Sequence, residues 1–236
     1  MVNITVGTWN AEWATPTTKT GPRIASIIEQ IEPDIFVLTE GCADLLPKSG
    51  YVIDGGINWG YERRDERNRK VLIWSKNHWH NIDQLGSHEL PPGRFISGTT
   101  QTVLGEMKII GVCIPWQSAH TTSGLKNRQV WQEHEVYLTH LAPLIAPKDS
   151  PLIVAGDFNQ RIPKGRQPHR IYEQLIETFK NLSVSTAQIN EPPLIDHIAH
   201  SRHLRVDRVS IISDKDQHGT LSDHRGAVIR FTLDIR

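Results

Sequence analysis

Several classes of protein are excluded by features that the sequence lacks or has only in small number. It contains only two cysteines, Cys42 and Cys113, and no C-x-x-C pair, so neither a disulfide framework nor a cysteine-based zinc site is indicated. Its longest apolar runs span only a few residues, which excludes a membrane-spanning helix. Lys plus Arg and Asp plus Glu number 26 each, so the formal net charge is 0. That balance argues against binding nucleic acid through a broad basic face.

The remaining composition is that of a folded globular protein. Of 236 residues, 38% are hydrophobic and 22% are charged, which is enough for a substantial core. The first residues, MVNITVGTWN, lack a basic segment followed by an apolar one, so we expect no signal peptide and a cytoplasmic location. No linker or internal repeat interrupts the chain. We therefore expect a single domain over residues 1–236.

Apolar periodicity alternates between strand-like and helix-like segments. Helices are predicted at residues 20–31, 125–145 and 171–179. Strands are predicted at residues 2–10, 34–40, 71–74, 79–85, 107–114, 152–155, 194–199, 204–212 and 227–233. Residues 86–102 show no clear period. Strands that outnumber a few long helices favour an α/β fold with helices on the outer faces of sheets over a parallel barrel.

Polar side chains stand at the ends of several of these strands. Each could be a turn residue, a solvated strand end or a cap. Together these side chains comprise carboxylates, carboxamides and an imidazole. They belong to Asn10, Glu40, Asp157, Asn159, Asp196, Asp223 and His224. Oxygen ligands of this type suit Mg²⁺ or Mn²⁺ and not zinc. A histidine beside one acid, with a second acid to orient it, is typical of general acid–base catalysis.

The order of these residues resembles the endonuclease/exonuclease/phosphatase superfamily, which includes DNase I-like and exonuclease III-like nucleases, inositol polyphosphate phosphatases and neutral sphingomyelinases. The motifs GDFN at 156–159 and SDH at 222–224 are the specific ones, whereas WN at 9–10 and TE at 39–40 are weak alone. The resemblance implies a four-layer α/β sandwich with two central mixed β-sheets flanked by helices.

The resemblance also implies a divalent-metal site and places residues in it. In the family, the residues that match Glu40, Asn10 and Asp223 lie at the site of Mg²⁺ or Mn²⁺. Glu40 is the most reliable ligand of the three by this reasoning. The cofactor we expect is therefore Mg²⁺ or Mn²⁺.

Four further residues acquire catalytic roles by the same resemblance. Asp157 orients or deprotonates the attacking water, and Asn159 binds the scissile phosphate. His224 contacts the phosphate as acid or base, and Asp196 holds its imidazole. These roles agree with the charge stabilisation that hydrolysis of a phosphodiester requires.

One position departs from the family pattern. Nucleases of the family carry a Tyr or His just before the proline that follows a central strand, and Cys113 stands at that place. A thiol is a weaker hydrogen-bond donor than a phenol. We consider two interpretations, a buried small side chain at Cys113 and a replacement donor at His120 or Trp116.

Cations follow the GDFN motif and suggest how a substrate is held. Residues 161–170 carry four cations and a histidine, and Arg161 and Arg166 are candidate substrate-binding residues; a solvated surface loop is the alternative. A second loop, residues 59–70, mixes cations such as Arg63, Arg64 and Lys70 with acids and aromatic residues.

The sequence therefore predicts a divalent-metal-dependent phosphodiester hydrolase, with nucleic acid as the substrate and no membrane partner. Three alternatives remain: a phosphatase that acts on a small or lipid phosphate ester, a non-catalytic member that only binds nucleic acid, and a structural α/β domain in which the motifs are coincidental. The intact set of site residues argues against the last two.

Overall fold

A computed structural model describes residues 2–62, 65–146, 149–189 and 193–233. The helices are α1 (Gly21–Ile31), α2 (Gln132–Leu141) and α3 (His169–Phe179). The strands are β1 (Ile4–Asn10), β2 (Ile35–Gly41), β3 (Tyr51–Asp54), β4 (Arg69–Ser75), β5 (Trp79–Asp83), β6 (Phe95–Thr102), β7 (Gly105–Cys113), β8 (Leu152–Asp157), β9 (Ser183–Val184), β10 (Asp196–His200), β11 (Leu204–Ile212), β12 (Lys215–Asp216), β13 (Gly219–Thr220) and β14 (Gly226–Leu233).

Twelve of these strands form two six-stranded mixed sheets. The first has the order β11-β14-β1-β2-β4-β3, and the second has the order β5-β6-β7-β8-β10-β9. One parallel pair lies in the middle of each sheet, β1–β2 in the first and β7–β8 in the second. The neighbours of each pair run antiparallel to it. The two sheets therefore share a plan, in which a helix connects the two parallel strands.

The side chains of the central strands explain why the sheets stack. In β2, Val37 packs into the cluster between the two sheets, while Phe36 and Leu38 pack with Ile24 and Ile28 of α1 on the outer face. Burial on both faces accounts for the continuous apolar run of this strand. Helices α2 and α3 cover the outer face of the second sheet in the same way. The four-layer sandwich and its two mixed sheets are confirmed.

The parallel pairs bring polar residues to one edge. In the register of the strands, Asn10 lies opposite Thr39, and Asp157 lies opposite both Cys113 and Asp196. Gly156 has φ of +137°, and a Cβ there would lie 1.9 Å from the carbonyl oxygen of the adjacent strand β7. Only glycine fits this close approach, which fixes the backbone immediately before Asp157.

The structure differs from the sequence-based assignment of secondary structure at two places. The predicted helix at 125–145 begins at Gln132, because Lys126 and Trp131 adopt left-handed backbone angles. The backbone N–H groups of Leu125 and Arg128 donate to the side chain and carbonyl of His120 instead. Strand β6 falls where no period was found, because six of its eight residues are buried and its polar and apolar residues do not alternate.

Candidate active site

Three strand ends and one loop meet at the edge of the two sheets. The Asn10 side chain donates to Asp157 Oδ2 at 3.3 Å, and the Asn10 backbone N–H donates to Asp196 Oδ2 at 2.9 Å. Ser222 Oγ donates to the Asn10 carbonyl at 2.7 Å. The loop before β14 is thereby tied to the end of β1, and the next residues of that loop, Asp223 and His224, reach the same place.

His224 and Asp196 form a buried pair. His224 Nδ1 lies 2.9 Å from Asp196 Oδ1, and the Asp196 side chain is fully buried. Burial lowers the pKa of His224, but the charges of Asp196, Asp157 and Asp223 outweigh it and raise that pKa to about 10. The imidazole is therefore protonated at neutral pH and donates a hydrogen bond to Asp196. Asp196 lies beneath the imidazole, as a residue that orients it would.

Asp157 is buried without a cation in direct contact. Asp157 Oδ1 accepts the Asn159 backbone N–H at 2.8 Å, and Oδ2 accepts the Asn159 side-chain amide at 2.8 Å. Burial first, and then the charges of Asp196 and Glu40, raise the pKa of Asp157 to about 7, against a lowering effect of His224. A carboxylate with a pKa near the working pH is well suited to accept a proton.

Asn159 is occupied by contacts within the protein. Its side-chain amide donates to the carbonyl of Ile114 at 2.8 Å as well as to Asp157. Both amide hydrogens are thus used, and Asn159 has φ of +52°. In this structure Asn159 orients Asp157 and does not present its amide hydrogens to a phosphate, which differs from the role expected of it.

A cleft of about 580 Å³ opens over these groups. The predicted site residues that line it are Asn10, Glu40, Asp157, Asn159, Asp223 and His224. The Asp223 side chain is 67% exposed, so it stands at the mouth of the cleft. The sequence-based set is therefore brought together in one place, with Asp196 directly behind His224.

Glu40 has a cationic partner that the sequence did not indicate. Lys70 Nζ lies 2.5 Å from Glu40 Oε1, and the same ammonium lies 4.7 Å from the centroid of the Trp13 ring. Lys70 is buried in the wall of the cleft because β4 pairs with β2. Arg63 and Arg64, from the same basic loop, lie outside the described residues.

Arg94 is a second cation that sequence reasoning missed. It is 1% exposed and lines the cleft from the start of β6. Its Nη1 contacts the carbonyl of Cys113 at 3.4 Å, whereas Nε and Nη2 have no hydrogen-bond partner among the described residues. A buried guanidinium with unused donors is suited to bind an anion. No sequence signal marked it, because it lies in the segment without a clear period.

Cys113 is a buried thiol at the position of departure from the family pattern. Its side chain is fully buried, and burial raises its pKa to about 12. The thiol therefore stays protonated and is inert as a nucleophile. Arg94, whose Nη1 lies 3.9 Å from the sulfur, stands beside it and faces the cleft.

The structure does not bring His120 to the cleft. The ring is 3% exposed, its Nδ1 accepts the N–H of Leu125 at 3.1 Å, and its Nε2 lies 3.8 Å from Glu133. A Cβ at Gly60 or Gly124 would lie within 2.6 Å of the ring. His120 thus fills the space between two glycines and holds the neighbouring loop. Its Nδ1 and the space around its ring are used for packing, and a contact between His120 and substrate stays a prediction.

Arg161 and Arg166 lie beside the cleft. Both are exposed on the loop after β8, where they line a second groove of about 270 Å³. The groove and the cleft share Asn159 and Trp116. The two arginines are thus outside the cleft but next to it.

The comparisons with known proteins agree with this arrangement. The model of the Endonuclease/Exonuclease/phosphatase family matches residues 7–224. The chain belongs to this family. A comparison with curated proteins finds no match.

Solved structures of the Endonuclease/Exonuclease/phosphatase family share the fold at low sequence identity. Humanized D. rerio TDP2 is 13% identical with a TM-score of 0.69, and the match covers 98% of this chain and 99% of that one. The human Nocturnin catalytic domain is 16% identical with a TM-score of 0.69, over 98% and 95%. NExo from Neisseria, described as a 3′ phosphatase bound to product DNA hairpin, is 15% identical with a TM-score of 0.68, over 98% and 99%.

Members of this family are hydrolases, and they commonly use divalent metals. Asp157, Asp196 and His224 place potential ligand atoms within 4.8 Å of one another. The described helices include none that is long and apolar enough to cross a membrane.

Proposed function

We propose that the protein is a divalent-metal-dependent phosphodiester hydrolase that acts on nucleic acid. The observation that carries this proposal is the convergence in one cleft of Asp157, held by two amide side chains, and His224, hydrogen-bonded to the buried Asp196. Two titratable groups whose pKa values are separated by their surroundings divide the roles of base and acid. Family membership supplies the reaction class.

The donor set fits Mg²⁺ or Mn²⁺. Glu40, Asn10 and Asp223 offer carboxylate and carboxamide oxygens in the same cleft, which are the ligands of hard cations. The buried ammonium of Lys70 on Glu40 shows that positive charge is stabilised at that carboxylate. Bound there, the metal ion would polarise the phosphate and stabilise the leaving oxygen.

A competing ligand set is formed by Asp157, Asp196 and His224, whose atoms lie close together. We favour the first set. His224 Nδ1 is already hydrogen-bonded to Asp196, so this nitrogen is not available to a metal ion. Asp196 is fully buried, and its two oxygens are hydrogen-bonded to His224 and to the Asn10 backbone N–H.

The other residues of the site act on the attacking water and on the phosphate. Asp157 accepts the proton of the attacking water, and Asn10 and Asn159 hold its carboxylate in place. His224 Nε2–H and Arg94 donate to the phosphate oxygens, where negative charge grows in the transition state. Arg94 thus supplies, from the neighbouring strand, the donor that Cys113 lacks.

Nucleic acid is the substrate class that we infer. Arg94 lies in the cleft without a carboxylate partner, and the adjoining groove is lined by Arg161 and Arg166 and by no acidic residue among those described. A nucleic acid offers phosphates on either side of the scissile one, which such a distribution matches.

The test is a substrate panel with metal control. The purified protein is incubated with plasmid DNA, an abasic-site duplex, single-stranded DNA and RNA, a chromogenic phosphodiester and a phosphomonoester, each with Mg²⁺, Mn²⁺ or EDTA. We expect metal-dependent cleavage of a nucleic acid and of the chromogenic diester. Full activity in EDTA, or cleavage of the phosphomonoester alone, would overturn the proposal.

A further inference from the structure

The second groove adjoins the proposed active site and has no assigned ligand. It opens from the cleft at Asn159 and Trp116 and runs along the loop that carries Arg161 and Arg166. Trp131 closes its other side and is only 9% exposed. A ligand that reaches the cleft can therefore continue into this groove without leaving the protein surface.

Trp116 presents a free aromatic surface at the junction. It is 44% exposed, while Trp59 in the same cleft is 2% exposed. Trp13 is engaged by neighbours, since Lys70 lies 4.7 Å from its ring and the Trp59 ring is stacked on it at 5.5 Å. Trp116 is thus the tryptophan of the cleft with surface available to a ligand. An exposed aromatic face beside a phosphate site is suited to stack on a nucleobase.

Arg161 and Arg166 line the groove and have no side-chain partner among the residues that the structure describes. Their guanidinium groups make no hydrogen bond or ion pair with any residue that the structure describes, whereas Arg23, Arg128 and Arg170 are each paired with a carboxylate. Both free cations point to an anionic ligand, because protein carboxylates do not neutralise them.

The loop that carries these arginines is braced. The side chain of Gln167 is buried, its Oε1 accepts the N–H of Gly165 at 2.9 Å, and its Nε2 donates to the carbonyl of Arg161 at 2.7 Å. The amide therefore crosslinks the loop from within. A loop held in one shape loses less conformational entropy when a ligand binds.

We propose that this groove binds an unpaired nucleotide next to the scissile phosphate, with its base on Trp116 and its flanking phosphates on Arg161 and Arg166. This inference rests on the proposed function and specifies its substrate as a single strand or an unpaired end. A base in a duplex is stacked on its neighbours and cannot lie on an aromatic side chain.

Binding without turnover tests the groove directly. Fluorescence anisotropy in EDTA measures the affinity for a fluorescein-labelled DNA strand of about 12 nucleotides and for the same strand in a duplex. We expect the wild type to prefer the single strand. Trp116→Ala should weaken single-strand binding at least about fivefold, while Trp116→Phe keeps most of it.

The arginines are tested by the dependence of affinity on salt. Arg161→Ala and Arg166→Ala should each reduce the slope of log affinity against log salt by about 0.7 for a single strand. Arg170→Ala is the matched control, because Arg170 is an exposed arginine of the next helix that is paired with Glu135. Its slope should equal that of the wild type.

Three results would overturn the inference: Trp116→Ala that binds as tightly as wild type, an equal loss for single strand and duplex, or arginine variants no different from Arg170→Ala. Thermal melting of each variant identifies one that has failed to fold, and Trp116→Leu, which keeps an apolar side chain without an aromatic face, then serves in place of the alanine variant. Hydrolysis of the chromogenic diester by the wild type separates the two proposals. If that hydrolysis fails, the proposed function is wrong, whereas the binding assays still decide the ligand of the groove.

Discussion

The two parallel strand pairs deliver a carboxylate to the cleft from equivalent places and give it opposite surroundings. Glu40 stands near the end of β2, and Asp157 stands at the end of β8. Glu40 contacts the ammonium of Lys70, so its negative charge is balanced. Asp157 contacts only amide donors, from Asn10 and Asn159, and its pKa is raised to about 7.

The topology of the sheets thus sets where each carboxylate lies, whereas the side chains around it determine its chemical properties. Glu40 offers carboxylate oxygens of the kind that Mg²⁺ prefers, whereas burial among neutral donors raises the pKa of Asp157 and suits it to exchange a proton. The predictions below test whether the two carboxylates in fact divide the work in this way.

The largest effect is expected at Asp157. Asp157→Asn removes the proton acceptor, so turnover should fall at least about 100-fold at every metal concentration. Steady-state kinetics across a metal titration measures it, and circular dichroism establishes that the variant is folded. Asp149→Asn, an exposed aspartate away from the cleft, is the control. Recovery of turnover at high metal concentration would show that Asp157 is a metal ligand. Asp157 and Glu40 would then not differ in role.

Glu40→Gln should behave in the opposite manner. The amide is a weaker ligand than the carboxylate, so the metal concentration for half-maximal activity should rise about tenfold or more, while turnover at saturating metal largely recovers. Calorimetric titration of the protein with Mn²⁺ should show the same loss of affinity. Glu89→Gln, on an exposed loop, should change neither quantity. An unchanged metal affinity would remove Glu40 from the metal site.

Asp196→Asn tests the surroundings of Asp157 further, because it changes the pKa of the His224 imidazole. The negative charge of Asp196 raises the pKa of His224, so its removal should lower that pKa from about 10 toward 6.5, by at least about one unit. Protonation would then be lost at lower pH, and the basic limb of the pH–rate profile should move to lower pH. Nuclear magnetic resonance titration of His224 in the metal-free protein measures the shift. An unchanged titration would mean that Asp196 does not act on the ring.

The smallest effect is expected at Cys113. On the first strand of each pair, Asn10 makes hydrogen bonds to two site carboxylates, whereas the Cys113 thiol is neutral and buried against Arg94. Cys113→Ala should keep kcat/KM within about twofold, because a thiol is a weak donor. Arg94→Met, matched in length, should lower kcat/KM at least about tenfold. A damaging Cys113→Ala together with a silent Arg94→Met would show that the thiol itself serves the site.

The sequence predicted most strands, two of the three helices and the residues at the strand ends, since these depend on local periodicity and on short motifs. It could not place Lys70 or Arg94, because their role depends on the pairing of β4 with β2 and on the burial of the start of β6. The sequence predicted that His120 contacts substrate, whereas in the structure the ring packs between Gly60 and Gly124. Gly60 is distant from His120 in the sequence, and Gly124 is close to it. Such packing is decided by tertiary contacts and not by sequence distance.

The hydrogen bonds that close the site also set when it can form during synthesis. Asn10 and the neighbouring Trp9 hydrogen-bond to Asp196 and to the carbonyl of His224, some two hundred residues later in the chain. Because a ribosome releases the amino-terminal part first, β1 emerges long before its partners are translated. A nascent or prematurely terminated chain that stops short of residue 222 has Asn10, Glu40 and Asp157 but lacks both Asp223 and His224. The proposed hydrolytic activity therefore requires synthesis to have passed the loop that precedes β14.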